Sequence, residues 1–157
     1  MSREQFLILI GQATISFSHL DNSLTGLICR SIKKEKSFGY KRMGFGRKIM
    51  FLEKLSISEM LYAEIFPLLK GLIPNLHAIN EERVRIVHNV WYLHESEDIA
   101  INHNIGFSKE VNVSSDYYTW TEIKTNDLIN HIRMITSLDF EISKIFRDCP
   151  EFCVNLR

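Results

Sequence analysis

Residues 6–28 read FLILIGQATISFSHLDNSLTGLI. Within them Phe6, Ile10, Ala13, Phe17, Leu20, Leu24 and Leu27 recur at steps of 4, 3, 4, 3, 4 and 3. That spacing places all seven on one stripe of an α-helix, because a helix returns to the same face every 3.6 residues. The pattern predicts a helix from about Arg3 to Ile32. Asp21 lies beside the stripe, where a carboxylate can reach a neighbouring helix.

Working outward, residues 33–46 (KKEKSFGYKRMGFG) combine charge with three glycines and read as a loop. A shorter helix is expected in RKIMFLEKL, followed by a break at Ser56 to Ser58 with Ser58 as an N-cap. A second seam then runs through Leu61, Ile65, Leu68, Leu72, Leu76, Ile79, Arg83, Ile86 and Val90. Pro67 and Pro74 interrupt it, which predicts a kink or two abutting helices between Glu59 and about Val90. After Trp91 the chain turns polar, and short alternating pieces such as IAIN and YYTW suggest an irregular hairpin or short-stranded insertion. A last helix is expected from near Thr125, capped by Thr125 or Asn126. Its apolar stripe is read as Leu128, Ile132, Ile135, Leu138 or Asp139, Ile142 and Phe146. The sum is a mostly α fold, a four- to five-helix up-and-down bundle with a short β-hairpin or irregular insertion before the last helix. With 157 residues and no linker, repeat or low-complexity tract, residues 1–157 read as a single domain.

Nineteen basic and nineteen acidic residues cancel, so the chain as a whole is no basic nucleic-acid binder. A local patch remains: nine basic residues from Arg30 to Lys54 face only Glu35 and Glu53, a local charge of about +7. Lys33, Lys34, Lys41, Arg42, Arg47 and Lys48 are its candidate RNA-binding residues, against the plainer alternative of a solvated lysine-rich loop. Three cysteines (Cys29, Cys149, Cys153), no secretory signal pattern and no apolar run long enough for a bilayer point to a cytoplasmic chain with reduced thiols and no membrane partner. No metal site is expected. Cys149 and Cys153 lack a second ligand pair, and His94 and His103, although near Glu95, Glu97 and Asp98, show no convergent spacing. His19, His77 and His131 read as core or surface residues of helices. No cofactor motif is present: GFGRK lacks both the phosphate-loop spacing and a preceding strand.

The most informative segment for function is EERVRIVHNVW, residues 81–91. Arg83 takes a position that the seam assigns to the core. A buried guanidinium needs a carboxylate, a cleft or another subunit, and Asp21, Glu81 or Glu82 could pair with it. His88 follows five residues later, roughly 140° round an ideal helix. The two side chains converge only if the helix ends or tightens near Asn89, or if a second protomer completes the site. Arg85, three residues before His88, shares its face more closely.

This segment resembles the signature of the HEPN family (higher eukaryotes and prokaryotes nucleotide-binding), helical-bundle domains marked by an Arg, four to six residues and a His. Arg83, the four residues VRIV and His88 match that spacing. HLDNSL in the first helix, with Asp21 after Leu20, and Trp91 shortly after His88 are similar to features of many members. Two positions depart from the pattern. Many members carry a polar residue directly after the motif Arg, where this chain has Val84. Members acting as toxins beside a nucleotidyltransferase antitoxin often carry a Tyr two residues after the His, where this chain has Val90.

The resemblance implies metal-independent RNA cleavage at a homodimer interface, in a toxin or phage-defence effector, with Arg83 and His88 catalytic. His88 would move a proton at the ribose 2′-OH or the leaving 5′-oxygen, and Arg83 would stabilise the more negative phosphorane. Arg85, Asn89, Asp21 and Glu82 are supporting candidates. RNA, a second copy of the chain and an antitoxin or other partner protein are the implied partners. Two other readings stand beside this one: a non-catalytic helical binding and dimerisation module that uses the Arg for packing, and an antitoxin-like interaction subunit whose basic segment binds an acidic protein or nucleic acid.

Overall fold

The structure, a computed structural model, describes residues 2–31, 43–55, 66–87, 90–93, 99–105 and 118–148. Helix α1 (Arg3–Ser31) matches its expected limits to one residue. It starts with a reciprocal capping box. The Gln5 N–H donates to Ser2 Oγ at 3.1 Å, and the Ser2 N–H donates to Gln5 Oε1 at 3.0 Å, so two donors that open a helix unpaired are satisfied together. Helix α2 (Phe45–Leu55) begins inside the segment expected as a loop up to Gly46, most of which lies outside the described residues. The break expected at Ser56 to Ser58 lies outside the described residues.

Helix α3 (Phe66–Val87) runs unbroken through Pro74. Proline has no N–H to give the carbonyl of Lys70, one turn back, whereas Pro67 stands in the first turn, where that loss costs nothing. The helix takes its own phase from Phe66 onward. Its core face is Leu69, Leu72, Ile73, Leu76 and Ile79, and Leu68, expected in the core, is 42% exposed. The expected seam took its rhythm from Leu61 and Ile65, which lie outside the described residues.

Helix α3 ends at Val87, not near Val90, and the tail of the motif segment becomes strand β1 (Val90–Leu93). Its residues VWYL are β-branched and aromatic, which suits a pleated ladder better than a helix. Strands β2 (Ile99–Ile105) and β3 (Tyr118–Lys124) complete an antiparallel sheet in the order β1-β2-β3. Val90 lies opposite His103, and His103 opposite Trp120. Of the expected hairpin or short-stranded insertion, the described residues form a three-stranded sheet. Strand β3 passes directly into helix α4 (Thr125–Asp148). Asp127 reaches back to accept the Lys124 N–H at 2.9 Å, so the helix entry is fastened one residue before the expected cap at Thr125 or Asn126.

The described part is a mostly α bundle built around α1 and α4, the most extensive helix pairing. One large core joins Leu20, Leu24, Leu27 and Ile28 of α1 to Ile49 and Leu52 of α2, the α3 face, and Ile135, Leu138, Ile142 and Ile145 of α4. A smaller core gathers Phe6, Ile86, Ile123 and Leu128, with Leu9, Ile10 and Trp91 against them. Because it holds the first turns of α1 and α4 and the last turn of α3, it shows that α3 runs antiparallel to both. It also marks the end of the bundle where the motif segment lies. Among the described residues no helix is long and apolar enough to cross a membrane.

Candidate functional site

Three polar residues sit on otherwise apolar helix stripes, and each meets a different fate. On α2, Lys48 shares a face with Phe45, Ile49 and Leu52 and is only 2% exposed. Its Nζ donates to Asp21 Oδ1 at 2.6 Å, from beneath a carboxylate that keeps 33% of its side-chain surface in solvent. A buried ammonium needs such a partner, since desolvation alone would cost several kcal/mol. This contact corrects two expectations. Lys48 is an internal tie between α1 and α2, unavailable to RNA, and Asp21 is committed to Lys48 and not to Arg83.

Arg83 on α3, assigned to the core by the seam, is partly buried and reaches α1. Its guanidinium carbon lies 4.6 Å from the centre of the Phe17 ring, and Phe17 is tilted against Phe45 with centroids 4.5 Å apart. The negative face of the ring receives the cation, and the ring desolvates only one side of it. Among the described residues no carboxylate lies within ion-pair distance of Arg83.

Glu82, expected as a partner for Arg83, pairs with Arg85 instead. Arg85 Nε and Nη2 both donate to Glu82 Oε2, at 2.9 and 2.7 Å. Residues three apart face each other on a helix, and residues one apart do not. The two arginines therefore diverge: Arg83 lies over Phe17 of α1, and Arg85 is held by Glu82 on another side of α3.

The end of α3 is tied to the sheet. The Trp91 indole N–H donates to the Ile86 carbonyl at 2.9 Å, satisfying one of the last carbonyls that a helix leaves unpaired. The same ring stacks edge-on against Phe6, centroids 5.9 Å apart. The end of α3 and the start of β1 are thus both anchored. His88 and Asn89 stand between them in the sequence and lie outside the described residues, as do Lys33, Lys34, Lys41, Arg42, His94, Cys149 and Cys153. Arg47 is exposed. Val84, where many similar segments are polar, is 47% exposed.

His131 on α4, read from the sequence as a core or surface residue beside a stripe drawn through Ile132, lies in the core. It is 5% exposed, and its Nδ1 is buried with no hydrogen-bond partner. Burial is the largest influence on the imidazole and pushes it below its ordinary value; the Glu82 carboxylate works against that shift and the Arg85 guanidinium adds to it. The α3 pair and the α4 histidine therefore share one electrostatic neighbourhood. A signal was available: Leu128, His131, Ile135, Leu138, Ile142 and Ile145 follow steps of 3, 4, 3, 4 and 3, a more regular stripe than the one through Ile132.

His77 Nε2 and Glu53 Oε1, 2.9 Å apart, join α3 to α2 at the half-exposed surface. Where these two helices approach, a Cβ on Gly46 would lie 3.3 Å from Asn80 Nδ2. Among the described residues no three His, Cys, Asp or Glu side chains gather as metal ligands. Compared with protein-family models, curated proteins and solved structures, the chain gives no match.

Proposed function

We propose that the chain is a metal-independent endoribonuclease of HEPN type, a toxin or phage-defence effector that cleaves RNA at a homodimer interface. The observation that carries this reading is Arg83: a guanidinium near the end of α3, seated on an aromatic ring, with no carboxylate partner among the described residues. A structural arginine on a core seam is ordinarily neutralised by an acid. This one keeps its charge for an anion, and the helix ends at Val87, directly before His88 in the chain.

In the proposed reaction the ribose 2′-oxygen attacks the adjacent phosphorus as a base removes its proton, and the P–O5′ bond breaks as an acid protonates the leaving oxygen. The products are a 2′,3′-cyclic phosphate and a 5′-hydroxyl. The planar fork of Arg83 suits the equatorial oxygens of the phosphorane. One His88 cannot be base and acid in the same step, so two copies of the chain would supply the pair. Exposed Arg47, with Lys33, Lys34, Lys41 and Arg42, would add sequence-independent attraction that weakens with salt.

The exposed Val84 beside Arg83 favours a second reading, a non-catalytic dimerisation module, because an apolar side chain there suits contact with another protein surface. One experiment separates the two: incubation of labelled single-stranded RNA in EDTA with the wild type, Arg83→Ala and His88→Ala. Cleavage with cyclic-phosphate ends, reduced about 100-fold or more in each folded variant, supports the nuclease. A dimer that turns over no RNA moves the assignment to the binding module.

A further inference from the structure

Helix α1 presents an exposed face that no charged residue interrupts for four turns. From Gln5 to Leu20 the chain carries no Asp, Glu, Lys or Arg, yet Leu7, Ile8 and Ile15 are 59%, 52% and 61% exposed. They surround exposed Gly11 on the side of the helix away from buried Phe6, Ala13, Phe17 and Leu20. Single exposed apolar residues are ordinary, but a cluster of them without charge marks a contact surface. Exposed apolar side chains on other helices keep charged company. Met50 lies between exposed Arg47 and Lys54 on α2, and the Arg147 guanidinium lies 5.3 Å from the centre of the Phe140 ring.

The hydroxyls on this part of α1 are satisfied from within. Thr14 Oγ1 donates to the Ile10 carbonyl at 2.8 Å, and Ser18 Oγ donates to the Thr14 carbonyl at 2.9 Å. Both can lose their water without leaving a donor unpaired, so covering the face costs little polar desolvation. Gly11 points the same way. A glycine inside a helix weakens it relative to alanine, and a Cβ added here would meet nothing within 4 Å. Packing within the protomer therefore does not require the glycine, whereas the close approach of another backbone does.

The pattern itself indicates the occupant. Leu7 and Ile15 lie four residues to either side of Gly11. An antiparallel second α1 crossing at Gly11 sets Leu7 of each copy against Ile15 of the other, and Ile8 against Thr14. Glu4 then comes opposite Ser18, so no acid meets an acid. A two-fold contact demands such a surface, because one patch must fit itself. Rows of residues four apart are also the ridges that interlock when two helices cross at about −50°. We propose that a second copy of this chain covers the outward face of α1, the two helices crossing antiparallel at Gly11. The contact uses neither Arg83 nor Arg85, and it stands whether or not the chain cleaves RNA.

The test uses the full-length chain. Sedimentation gives the mass in solution of wild type, Ile15→Glu and Arg83→Ala from roughly 1 to 300 µM, the range in which a contact at the low end of interface areas dissociates. Ile15 is exposed, so the new charge leaves the fold intact, which circular dichroism checks. The wild type and Arg83→Ala should associate alike, and Ile15→Glu should associate about 30-fold or more weakly. A wild type that stays monomeric gives the face to another protein and overturns the proposal. Association kept in Ile15→Glu and lost in Arg83→Ala assigns the contact to the candidate site and overturns it as well. Mild oxidation reads the register. Gly11→Cys should form a disulfide-linked dimer, because the two-fold axis brings its Cα atoms within about 7 Å. Ser18→Cys, which faces Glu4, should crosslink no more than the wild type with its own three cysteines. Equal crosslinking at both positions overturns the antiparallel crossing.

Discussion

Lys48 and His131 occupy equivalent places in their helices, each an intruder on an apolar stripe and each almost completely buried. Their surroundings differ. The α1–α2 junction answers the Lys48 ammonium with the Asp21 carboxylate at 2.6 Å. The α3–α4 junction leaves His131 Nδ1 unsatisfied beside a carboxylate and a guanidinium already bonded to each other. The first arrangement is closed: a cation buried, neutralised and unable to meet a ligand. The second leaves a polar atom inside the core without a hydrogen-bond partner. Burial of a polar residue therefore says little by itself, and the completeness of its partners decides what it costs the fold.

The largest effect that can break this contrast is expected at Asp21. Asp21→Ala strands the Lys48 ammonium in the core and should cost about 3–5 kcal/mol in urea denaturation, while the double change to Asp21→Leu and Lys48→Met should return most of it. A small loss in the single variant would mean that Lys48 reaches water some other way, and the closed character of that junction would be lost.

The second effect concerns pH. Burial holds the folded-state value of His131 below the ordinary 6.5, so the folded chain binds this proton less readily than the unfolded chain. Stability from the neutral imidazole is complete above the unfolded value and is lost as pH falls from about 6.5 through the depressed folded value. Denaturation curves of wild type and His131→Phe should diverge on the acid side, with the variant showing the flatter slope; parallel curves would show that the imidazole escapes its burial.

The smallest effect belongs to Trp91, which fastens the end of α3. Trp91→Phe keeps the ring against Phe6 and deletes the bond to the Ile86 carbonyl, for a loss of about 1 kcal/mol. Hydrogen exchange should rise at the end of α3 and in β1 and stay unchanged in α2. Equal change in both places would dissolve the distinction between the two regions.

Helix α1 was legible in full because a stripe of seven apolar residues has one solution, and the last helix nearly so. The strand that begins at Val90 was missed, since a three-four rhythm continued through Ile86 and Val90 and periodicity alone does not see the Trp91 bond that ends the helix. The candidate site was legible as a motif and not as an arrangement. The rhythm assigned Arg83 to the core, whereas it is partly buried and its partner is the Phe17 ring and not an acid.

The sequence by itself determined where the helices lie and which residues break their apolar stripes, because periodicity and composition are local properties of the chain. Only the tertiary structure decided that Asp21 goes to Lys48, Glu82 to Arg85 and Arg83 to Phe17. The reason is physical: a charge has several candidate partners along a sequence, and which of them it meets depends on which helix faces pack together.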